Sequence, residues 1–378
     1  MVPQPIRFQK PEFPSGEAIE RYLSRSRAER WFSNFGPCAE LLQTRLTEAT
    51  GRPCVLVCNA TLGLMVAIAS VRRRGADARE VLVPSFAFAA SAQAAVWNGL
   101  EPVFVDVAPD HWHLDPDALD AALYARGERV ALVVALSSFG VPPSPEVRER
   151  WQRSCADAGV PLLVDSAAGF GARASDDVPI GAQGDIEVVS FHATKPLPAG
   201  EGGAVFCRDE TIAADVAQLT NFAFNDEHQA IRPDGLNAKM SEPAAAAALA
   251  ALDELEPALA QRAELATELQ RLLPEEFDRQ VGHAAGTWQF VPIAAPDADT
   301  RKAVLDEGAR RGIGLRTYYD PLHTMPAFSR CGSADDLAVT SALGERMLSL
   351  PMASDLDPAD VVAIAEMVHA ASRASLHA

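Results

Sequence analysis

The chain has 378 residues, 48% of them hydrophobic, and a formal net charge of −18 at pH 7. This length exceeds one typical domain of roughly 100 to 200 residues, so we expect two lobes. The negative charge disfavours non-specific attraction to nucleic acid or to an acidic membrane surface, because both carry charge of the same sign. The composition therefore favours small-molecule partners.

The amino-terminal segment, MVPQPIRFQKPEFPSG, lacks the apolar core of a signal peptide. No run of the sequence approaches the ~18 to 20 apolar residues of a membrane helix. The six cysteines lack paired CxxC spacing, which favours reduced, mostly buried thiols. His111 and His113 would suggest a metal, but a loop rich in Pro and Asp explains them more simply. We expect a cytoplasmic protein without a membrane segment or a metal.

Seven short apolar runs between residues 50 and 210 predict strands. They are CVLVCNA, EVLVPSF, EPVFVDV, RVALVVALSS, VPLLVDSA, DIEVVSFH and GGAVFCRD. Helical stretches such as TLGLMVAIASVRRRG and SAQAAVWNGL alternate with these runs, which indicates an α/β fold with a mostly parallel sheet covered on both faces. Ligands of such sheets bind beyond the carboxyl ends of the strands, so the polar residues there are the site candidates.

The carboxyl-terminal part of the chain has a different pattern. Residues 221–240 have no clear period and predict an irregular loop. A long helical region then begins at Ser241, which is a plausible N-cap. Further alternating segments and a closing helix from about Pro358 predict a smaller α+β domain. We therefore expect a large domain over residues 1–260, which includes the amino-terminal segment, and a small domain over residues 261–378.

One lysine stands out against the composition. The chain has four lysines and 29 arginines, so it uses Arg almost wherever a positive charge suffices. Lys195 follows a predicted strand in SFHATK, and the glycine-rich AGEGGAV comes directly after it. Arg does not lose its proton in a protein, whereas a desolvated Lys can become a neutral amine and attack a carbonyl. Lys195 is therefore a candidate nucleophile at the edge of the sheet.

Three other strand ends supply partners that suit pyridoxal phosphate (PLP). Asp165 ends the run LLVD, where a carboxylate needs a positive or hydrogen-bonding partner such as the protonated pyridine nitrogen of PLP. The N–H groups around Ala60 and Thr61 begin a helix and can receive a phosphate. Phe86 and Phe88, in VPSFAFAAS, offer rings of which one can lie against the cofactor. Each feature alone is more often structural, and the combination carries the prediction.

The ordered series of motifs resembles the DegT/DnrJ/EryC1/StrS aminotransferases, PLP enzymes of fold type I that mostly aminate nucleotide-linked keto-sugars. The resemblance runs from NFGP at residues 34–37 to the end of the chain. It includes VPSFAFAAS, PVFVDV, the Asp165 motif, SFHATK with GEGG, LNAKMSE, and YYDPLH followed by LSLPM. It implies an aspartate aminotransferase-like fold, with a large PLP-binding domain and a small carboxyl-terminal α+β domain.

The resemblance also implies roles for individual residues. Lys195 would form the Schiff base with PLP, Asp165 would pair with the pyridine nitrogen, and Phe88 would stack on the ring. The positions that match the family's phosphate-binding residues are Ala60, Thr61 and Ser190. Asn237, in LNAKM, matches an Asn that reaches the PLP phosphate of the neighbouring subunit. A homodimer with shared active sites is therefore expected, and symmetric dimers are also the commonest oligomers.

The chain departs from the family pattern at two positions. Ala168 stands where the family commonly has Gln or His, a residue that helps seat the cofactor ring. Lys239 stands where the family usually has Arg, a difference that the sequence does not explain. Position 195 is Lys, whereas the dehydratase branch of the family has His, so the resemblance implies an aminotransferase.

The implied reaction is transamination in two half-reactions. L-Glutamate, the expected donor, displaces Lys195 from PLP, and the released amine then acts as general base and acid. Pyridoxamine phosphate forms, and a 4- or 3-keto-6-deoxy sugar linked to dTDP, UDP or GDP then accepts the amino group. His323, in YYDPLH, is a weaker candidate for contact with this substrate, and a structural role in a turn is equally consistent.

Three alternatives stay open. The acceptor could be a non-nucleotide ketone, such as a cyclitol or a secondary-metabolite ring, which the same site would permit. The protein could be a non-catalytic PLP-binding regulatory protein, which predicts no half-reaction with any amino donor. A nucleotide-binding domain that uses CNATLG as a phosphate loop is disfavoured, because that segment lacks the GxGxxG and GxxxxGK[ST] spacings.

Overall fold

The fold is taken from a computed structural model that describes residues 5–73, 75 and 77–375. The first four residues of the segment compared above with a signal peptide lie outside the described residues. Within the described ranges, none of the helices combines the length and the apolar character that crossing a membrane would require.

The described residues form a central sheet, helices on both of its faces, and a smaller α+β region. The strands are β1 (Cys54–Val57), β2 (Glu80–Pro84), β3 (Glu101–Val105), β4 (Val130–Leu136), β5 (Leu162–Asp165), β6 (Ile186–Ser190), β7 (Gly203–Cys207), β8 (Val291–Ala294), β9 (Gly332–Ser333) and β10 (Met347–Leu350). The α-helices are α1 (Gly16–Glu29), α2 (Pro37–Thr50), α3 (Ala60–Val71), α4 (Ala89–Trp97), α5 (Pro116–Arg126), α6 (Pro145–Ala158), α7 (Glu210–Thr220), α8 (Glu242–Asp253), α9 (Leu255–Leu272), α10 (Ala298–Arg311), α11 (Ala338–Arg346) and α12 (Pro358–Ser375).

The central sheet has eight strands in the order β1-β7-β6-β5-β4-β2-β3-β9. The strand β7 is antiparallel to both of its neighbours, and the other pairs are parallel. All seven strands predicted from the apolar runs belong to this sheet, and the two-residue β9 adds an edge strand that the sequence did not reveal. The prediction of a mostly parallel sheet is confirmed.

Successive residues of a strand point to opposite sides of the sheet, and here the residues on both sides are apolar. Helices therefore cover both faces of the sheet. Val81 and Val83 of β2 belong to the apolar cluster that includes residues of α3 and α4. Leu82, between them, belongs to the cluster that includes residues of α5 and α6. Both faces of the strand are therefore buried, which is why the strands are continuous apolar runs in the sequence.

The helix α9 joins the sheet region to a second apolar core. Leu255, at its start, packs in a cluster with β1, β6 and α8, whereas Leu265 and Leu269 pack with β8, β10, α10 and α12. Ser241 caps α8, and the closing helix begins at Pro358, as the sequence predicts. The predicted boundary at residue 260 falls inside α9, and we propose that this helix is the connection between the two domains.

A buried carboxylate joins α8 to the start of α2. Glu242 accepts hydrogen bonds from Ser26 Oγ at 2.6 Å, Cys38 N at 2.7 Å and Ala39 N at 3.0 Å. The two N–H groups lie in the first turn of α2, where they have no intrahelical acceptor and where the helix dipole favours a negative charge. This contact fixes the end of the irregular segment 221–240, which leads directly into α8.

Glu242→Ala is expected to lower the free energy of unfolding by about 3 kcal/mol, because it leaves buried N–H groups unpaired and opens a cavity. Glu242→Gln keeps an acceptor oxygen, so its free energy of unfolding is expected to fall by less. Urea unfolding followed by circular dichroism measures both differences. An alanine variant as stable as the parent chain would contradict this role.

Candidate active site

The carboxyl ends of three strands meet at one edge of the sheet. Asp165 is the last residue of β5, and Ser190 is the last residue of the neighbouring parallel strand β6. Gly203, the first residue of β7, pairs with Ser190 on one side and with Val57 of β1 on the other. The start of α3, which follows β1, therefore lies beside the ends of β5 and β6. The strand ends singled out in the sequence are brought together here.

Lys195 lies in the turn that follows β6. Burial of its amine lowers the pKa of Lys195 to about 8, and the charge of Asp165 acts in the opposite sense. The amine donates a hydrogen bond to Gln289 Oε1 at 3.2 Å. At pH 7 about a tenth of an amine with this pKa is neutral, far more than of an ordinary Lys, and the neutral form is the one that attacks a carbonyl.

Asp165 is a buried carboxylate held by two donors. Ser91 Oγ donates to its Oδ2 at 2.5 Å, and the backbone N–H of Ala167 donates to its Oδ1 at 3.2 Å. Burial raises the pKa of Asp165, and the two hydrogen bonds and the nearby Lys195 amine oppose this shift. A positive group next to this carboxylate would stabilise its charged form, so the protonated pyridine nitrogen of PLP fits here.

Aromatic side chains line the site beside Asp165. Tyr319 stacks on Phe139 with ring centroids 4.7 Å apart, and Phe86 meets Tyr319 edge-on at 5.5 Å. Burial, followed by the charge of Asp165, raises the pKa of Tyr319, so its phenol keeps its proton. Phe86 is fully buried, whereas Phe88 is 59% exposed at the start of α4. Of the two phenylalanines weighed in the sequence, Phe88 has the open ring that stacking requires.

The start of α3 forms a cradle for an anion. Ala60 and Thr61 are its first residues, so their N–H groups have no hydrogen-bond acceptor within the helix. A Cβ at Gly203 would lie 3.1 Å from the backbone nitrogen of Ala60, so a side chain there would cover this N–H. Ser190 pairs with Gly203, which places Ser190 at the same edge of the sheet. A phosphate suits such a helix terminus, and with the partly buried amine and the buried carboxylate the residues present fit PLP.

The irregular segment before α8 holds Asn237 through Lys239. The Lys239 amine donates to Oδ1 of Asn237 and to Oδ1 of Asn221, each at 2.8 Å. The backbone of this segment is tied to the end of β1, because Cys58 N donates to Ala238 O at 2.7 Å. Lys239 therefore has a structural role that the sequence did not reveal. That Asn237 reaches the phosphate of a neighbouring subunit stays a prediction.

His323 is hydrogen-bonded mainly to Ser85, just after the end of β2. Its Nδ1 lies 2.7 Å from Ser85 Oγ, and its backbone N–H donates to the same oxygen at 3.1 Å. Ser341 Oγ lies 3.5 Å from Nε2, on the other side of the ring. Burial lowers the pKa of His323. These contacts favour the structural role, and contact with substrate stays a prediction.

Ala168 is buried next to Thr287, a residue far from it in the sequence. Its carbonyl oxygen accepts a hydrogen bond from Thr287 Oγ1 at 2.6 Å. A Cβ at Gly140 would lie 2.6 Å from both of these oxygens, so the packing around Ala168 is tight. The methyl group of Ala168 offers no polar contact to a cofactor, so such a contact has to come from elsewhere in the chain.

The two histidines weighed as metal ligands pack against each other. His113 is buried with its Nε2 3.0 Å from Val141 O, and burial lowers the pKa of His113 to about 3. His111 stacks on it with ring centroids 5.3 Å apart. In the described part of the chain, the side chains close enough together to hold a metal ion are Asp106, Asp335 and Asp336. We assign no metal to them, because the Asp106 carboxylate already accepts hydrogen bonds from N–H groups at the start of α11.

Three residues of the site were missed in the sequence. Ser91 is the last residue of VPSFAFAAS, Gln289 lies within TWQFVPIAA, and Tyr319 lies within YYDPLH. The motifs VPSFAFAAS and YYDPLH were recognised, but nothing local distinguishes Ser91 and Tyr319 from their neighbours. A polar residue inside an otherwise apolar run is the one signal that points to Gln289, because a buried amide needs partners.

Comparisons with known proteins identify the family of the chain. The DegT/DnrJ/EryC1/StrS aminotransferase family model matches residues 15–369. Protein Rv3402c of Mycobacterium tuberculosis is 32% identical over 97% of this chain and 90% of its own length. The dTDP-4-amino-4,6-dideoxy-D-glucose transaminase of Escherichia coli is 26% identical over 96% of this chain and 98% of its own length.

A solved structure gives the same result for the fold. The crystal structure of DesI in the presence of its TDP-sugar product is 30% identical, covers 99% of this chain and 95% of its own, and has a TM-score of 0.88. The similarity thus extends over nearly the whole chain, and the expected fold class is confirmed. The chain belongs to the DegT/DnrJ/EryC1/StrS aminotransferase family and, like that family, is a PLP-dependent aminotransferase.

Proposed function

We propose that the protein transfers an amino group from L-glutamate to a keto-sugar linked to a nucleoside diphosphate, with PLP bound to Lys195. The observation that carries this proposal is the partly buried amine of Lys195, which lies near the buried carboxylate of Asp165. Two relatives support the sugar: the Escherichia coli enzyme is a dTDP-amino-sugar transaminase, and DesI binds a TDP-sugar product. A 4- or 3-keto-6-deoxy sugar is the proposed acceptor.

The residues of the cradle and the edge of the sheet would hold the cofactor. The N–H groups of Ala60 and Thr61, with the Ser190 hydroxyl, would bind its phosphate. The open ring of Phe88 would cover one face of the pyridine, and Asp165 would keep a proton on the pyridine nitrogen. When bound, PLP supplies an electron sink for the pair of electrons left on the substrate carbon.

Lys195 would move the proton of the reaction. Its Nζ, with a pKa of about 8, can accept a proton from a substrate carbon and return it to another atom of the same complex. A general base works best when its pKa lies near the working pH.

The proposed assembly is a homodimer with shared active sites. Large aromatic side chains are exposed on the loop before α2 and on the segment that carries Asn237. They are Trp31 (46%), Phe32 (46%), Phe35 (44%) and Phe222 (42%). Exposed apolar groups that are grouped on one loop favour a protein partner, and a second copy would cover them while it brings Asn237 to the other cradle. We propose that the dimer works in the cytoplasm, where the six free cysteines would stay reduced.

Amino transfer to a panel of acceptors tests this function. The panel contains 4-keto-6-deoxy and 3-keto-6-deoxy hexoses linked to dTDP, UDP or GDP, together with an inosose, each incubated with PLP and L-glutamate. We expect 2-oxoglutarate to form together with one amino sugar, which mass spectrometry identifies. Transfer to the inosose alone would favour the non-nucleotide ketone. If no amino donor gives a half-reaction, the protein is a regulatory PLP-binding protein instead.

A further inference from the structure

Gln289 holds the amine of Lys195. Its Oε1 accepts from Lys195 Nζ at 3.2 Å, and its Nε2 donates to Thr194 Oγ1 at 3.3 Å. Thr194 Oγ1 lies 2.9 Å from His192 Nδ1, at the exposed end of this chain of contacts. The amide is 5% exposed and bonded at both ends, so its oxygen is oriented toward the amine.

The backbone around Gln289 is firmly anchored. Trp288 and Phe290, on either side, are each 5% exposed and pack in two different apolar clusters. Trp288 has a φ of 55°, which a bulky residue adopts only when its surroundings impose it. Thr287, just before it, donates to Ala168 O. The segment 287–289 thus brings two polar side chains from the small domain to the residues around the catalytic amine.

We propose that Gln289 is a positioning residue for Lys195: its amide oxygen holds the free amine while the amine carries a proton. The identity of Lys195 as the catalytic amine comes from the proposed function, on which this inference rests. The contact between the two side chains does not depend on it.

The effect of residue 289 on the pKa of Lys195 distinguishes a positioning residue from one that only fills space. An amide oxygen that accepts from an ammonium group favours its charged form, and thus opposes the effect of burial on the pKa of Lys195. Gln289→Leu has nearly the same shape and no acceptor, so the pKa of Lys195 should fall. Gln289→Glu places a carboxylate there, so the pKa of Lys195 should rise. A residue that only fills space would not shift the amine in opposite directions.

Site-specific labelling of the amines measures these shifts. The full chain, both without cofactor and loaded with pyridoxamine phosphate, is acetylated over a range of pH, and mass spectrometry follows each lysine-containing peptide. The exposed amines of Lys10 and Lys302 are internal references in the same sample. At a pH below the midpoint of Lys195, we expect its labelling to be about tenfold faster in Gln289→Leu and about tenfold slower in Gln289→Glu, a shift of one pKa unit each way.

A second glutamine provides the matched control. Gln152, on α6, donates to Gln183 O at 2.8 Å, and Gln152→Leu should leave the labelling of Lys195 unchanged.

In the holoenzyme, Gln289→Leu should lower kcat while KM for L-glutamate stays within about twofold, as expected for a group that acts after binding. If Gln289→Leu does not fold, Gln289→Met, which also lacks an acceptor oxygen, replaces it.

Labelling of Lys195 at the parent rate in both Gln289 variants would overturn the inference. That result would leave the role of Lys195 intact, because Lys195→Ala tests that role separately. Conversely, opposite shifts in a protein whose PLP absorbance survives Lys195→Ala would uphold the contact while the proposed function fails.

Discussion

Lys195→Ala is expected to abolish amino transfer, with a fall in kcat of at least about 10⁴-fold, the upper range for the loss of a general acid–base group. The loss should be larger than for any other single change, because the same amine both binds the cofactor and moves the proton. The absorbance band of lysine-bound PLP should also disappear. Spectra with added PLP and single-turnover kinetics with L-glutamate measure the two effects.

Lys302→Ala is the matched control for this variant. Lys302 is exposed on α10, where it pairs with Asp306 at 2.7 Å. Its replacement should leave the spectrum and kcat unchanged. Lys195→Arg keeps a positive charge but cannot form the imine, so it should be as inactive as the alanine variant. A Lys195→Ala protein that keeps the PLP band and the activity would refute the central assignment.

Asp165→Asn is expected to lower kcat by about 10²- to 10³-fold, the range for removal of one preorganised electrostatic partner. Asparagine keeps the shape and can still accept from Ser91, which donates to Asp165 at 2.5 Å. It lacks the negative charge that would keep the pyridine nitrogen protonated, so the cofactor becomes a weaker electron sink. Steady-state kinetics and the pH dependence of the PLP spectrum measure this change.

Two variants calibrate that result. Ser91→Ala removes one donor to the carboxylate, raises the pKa of Asp165 further, and should cost about tenfold in kcat. Asp176→Asn removes a carboxylate that pairs with Arg148 on α6 at 2.6 Å, and it should not alter kcat. Equal kcat in Asp165→Asn and the parent chain would exclude a role for this carboxylate in catalysis.

Much of the fold could be predicted because its signals are local. The seven strands predicted from the sequence are buried on both faces, so each appears as an apolar run such as VALVVAL in β4. Ser241 and Pro358 mark helix starts through the chemistry of a single turn. The position of Asp165 and Ser190 at strand ends followed from the same runs, and parallel pairing then brought these ends to one edge.

The partners of the site residues could not be predicted in the same way. Gln289 meets Lys195 across 94 positions of the chain, and Ser91 meets Asp165 across 74. Lys239 appeared as an unexplained departure until the backbone bridge between Asn221 and Asn237 placed both oxygens within its reach. No pattern of neighbouring residues encodes these contacts, because they form only when separate elements pack.

The choice between equivalent candidates also depended on packing. Phe86 and Phe88 are two residues apart in one motif, yet one is fully buried and the other is 59% exposed. The amino-acid order thus specified the strands, the helix starts and the types of chemical group at the strand ends, since each depends on residues close in the chain. Long-range packing set which of these groups are buried, which partners they contact and how far the pKa of Lys195 falls, because desolvation depends on all the atoms around the amine.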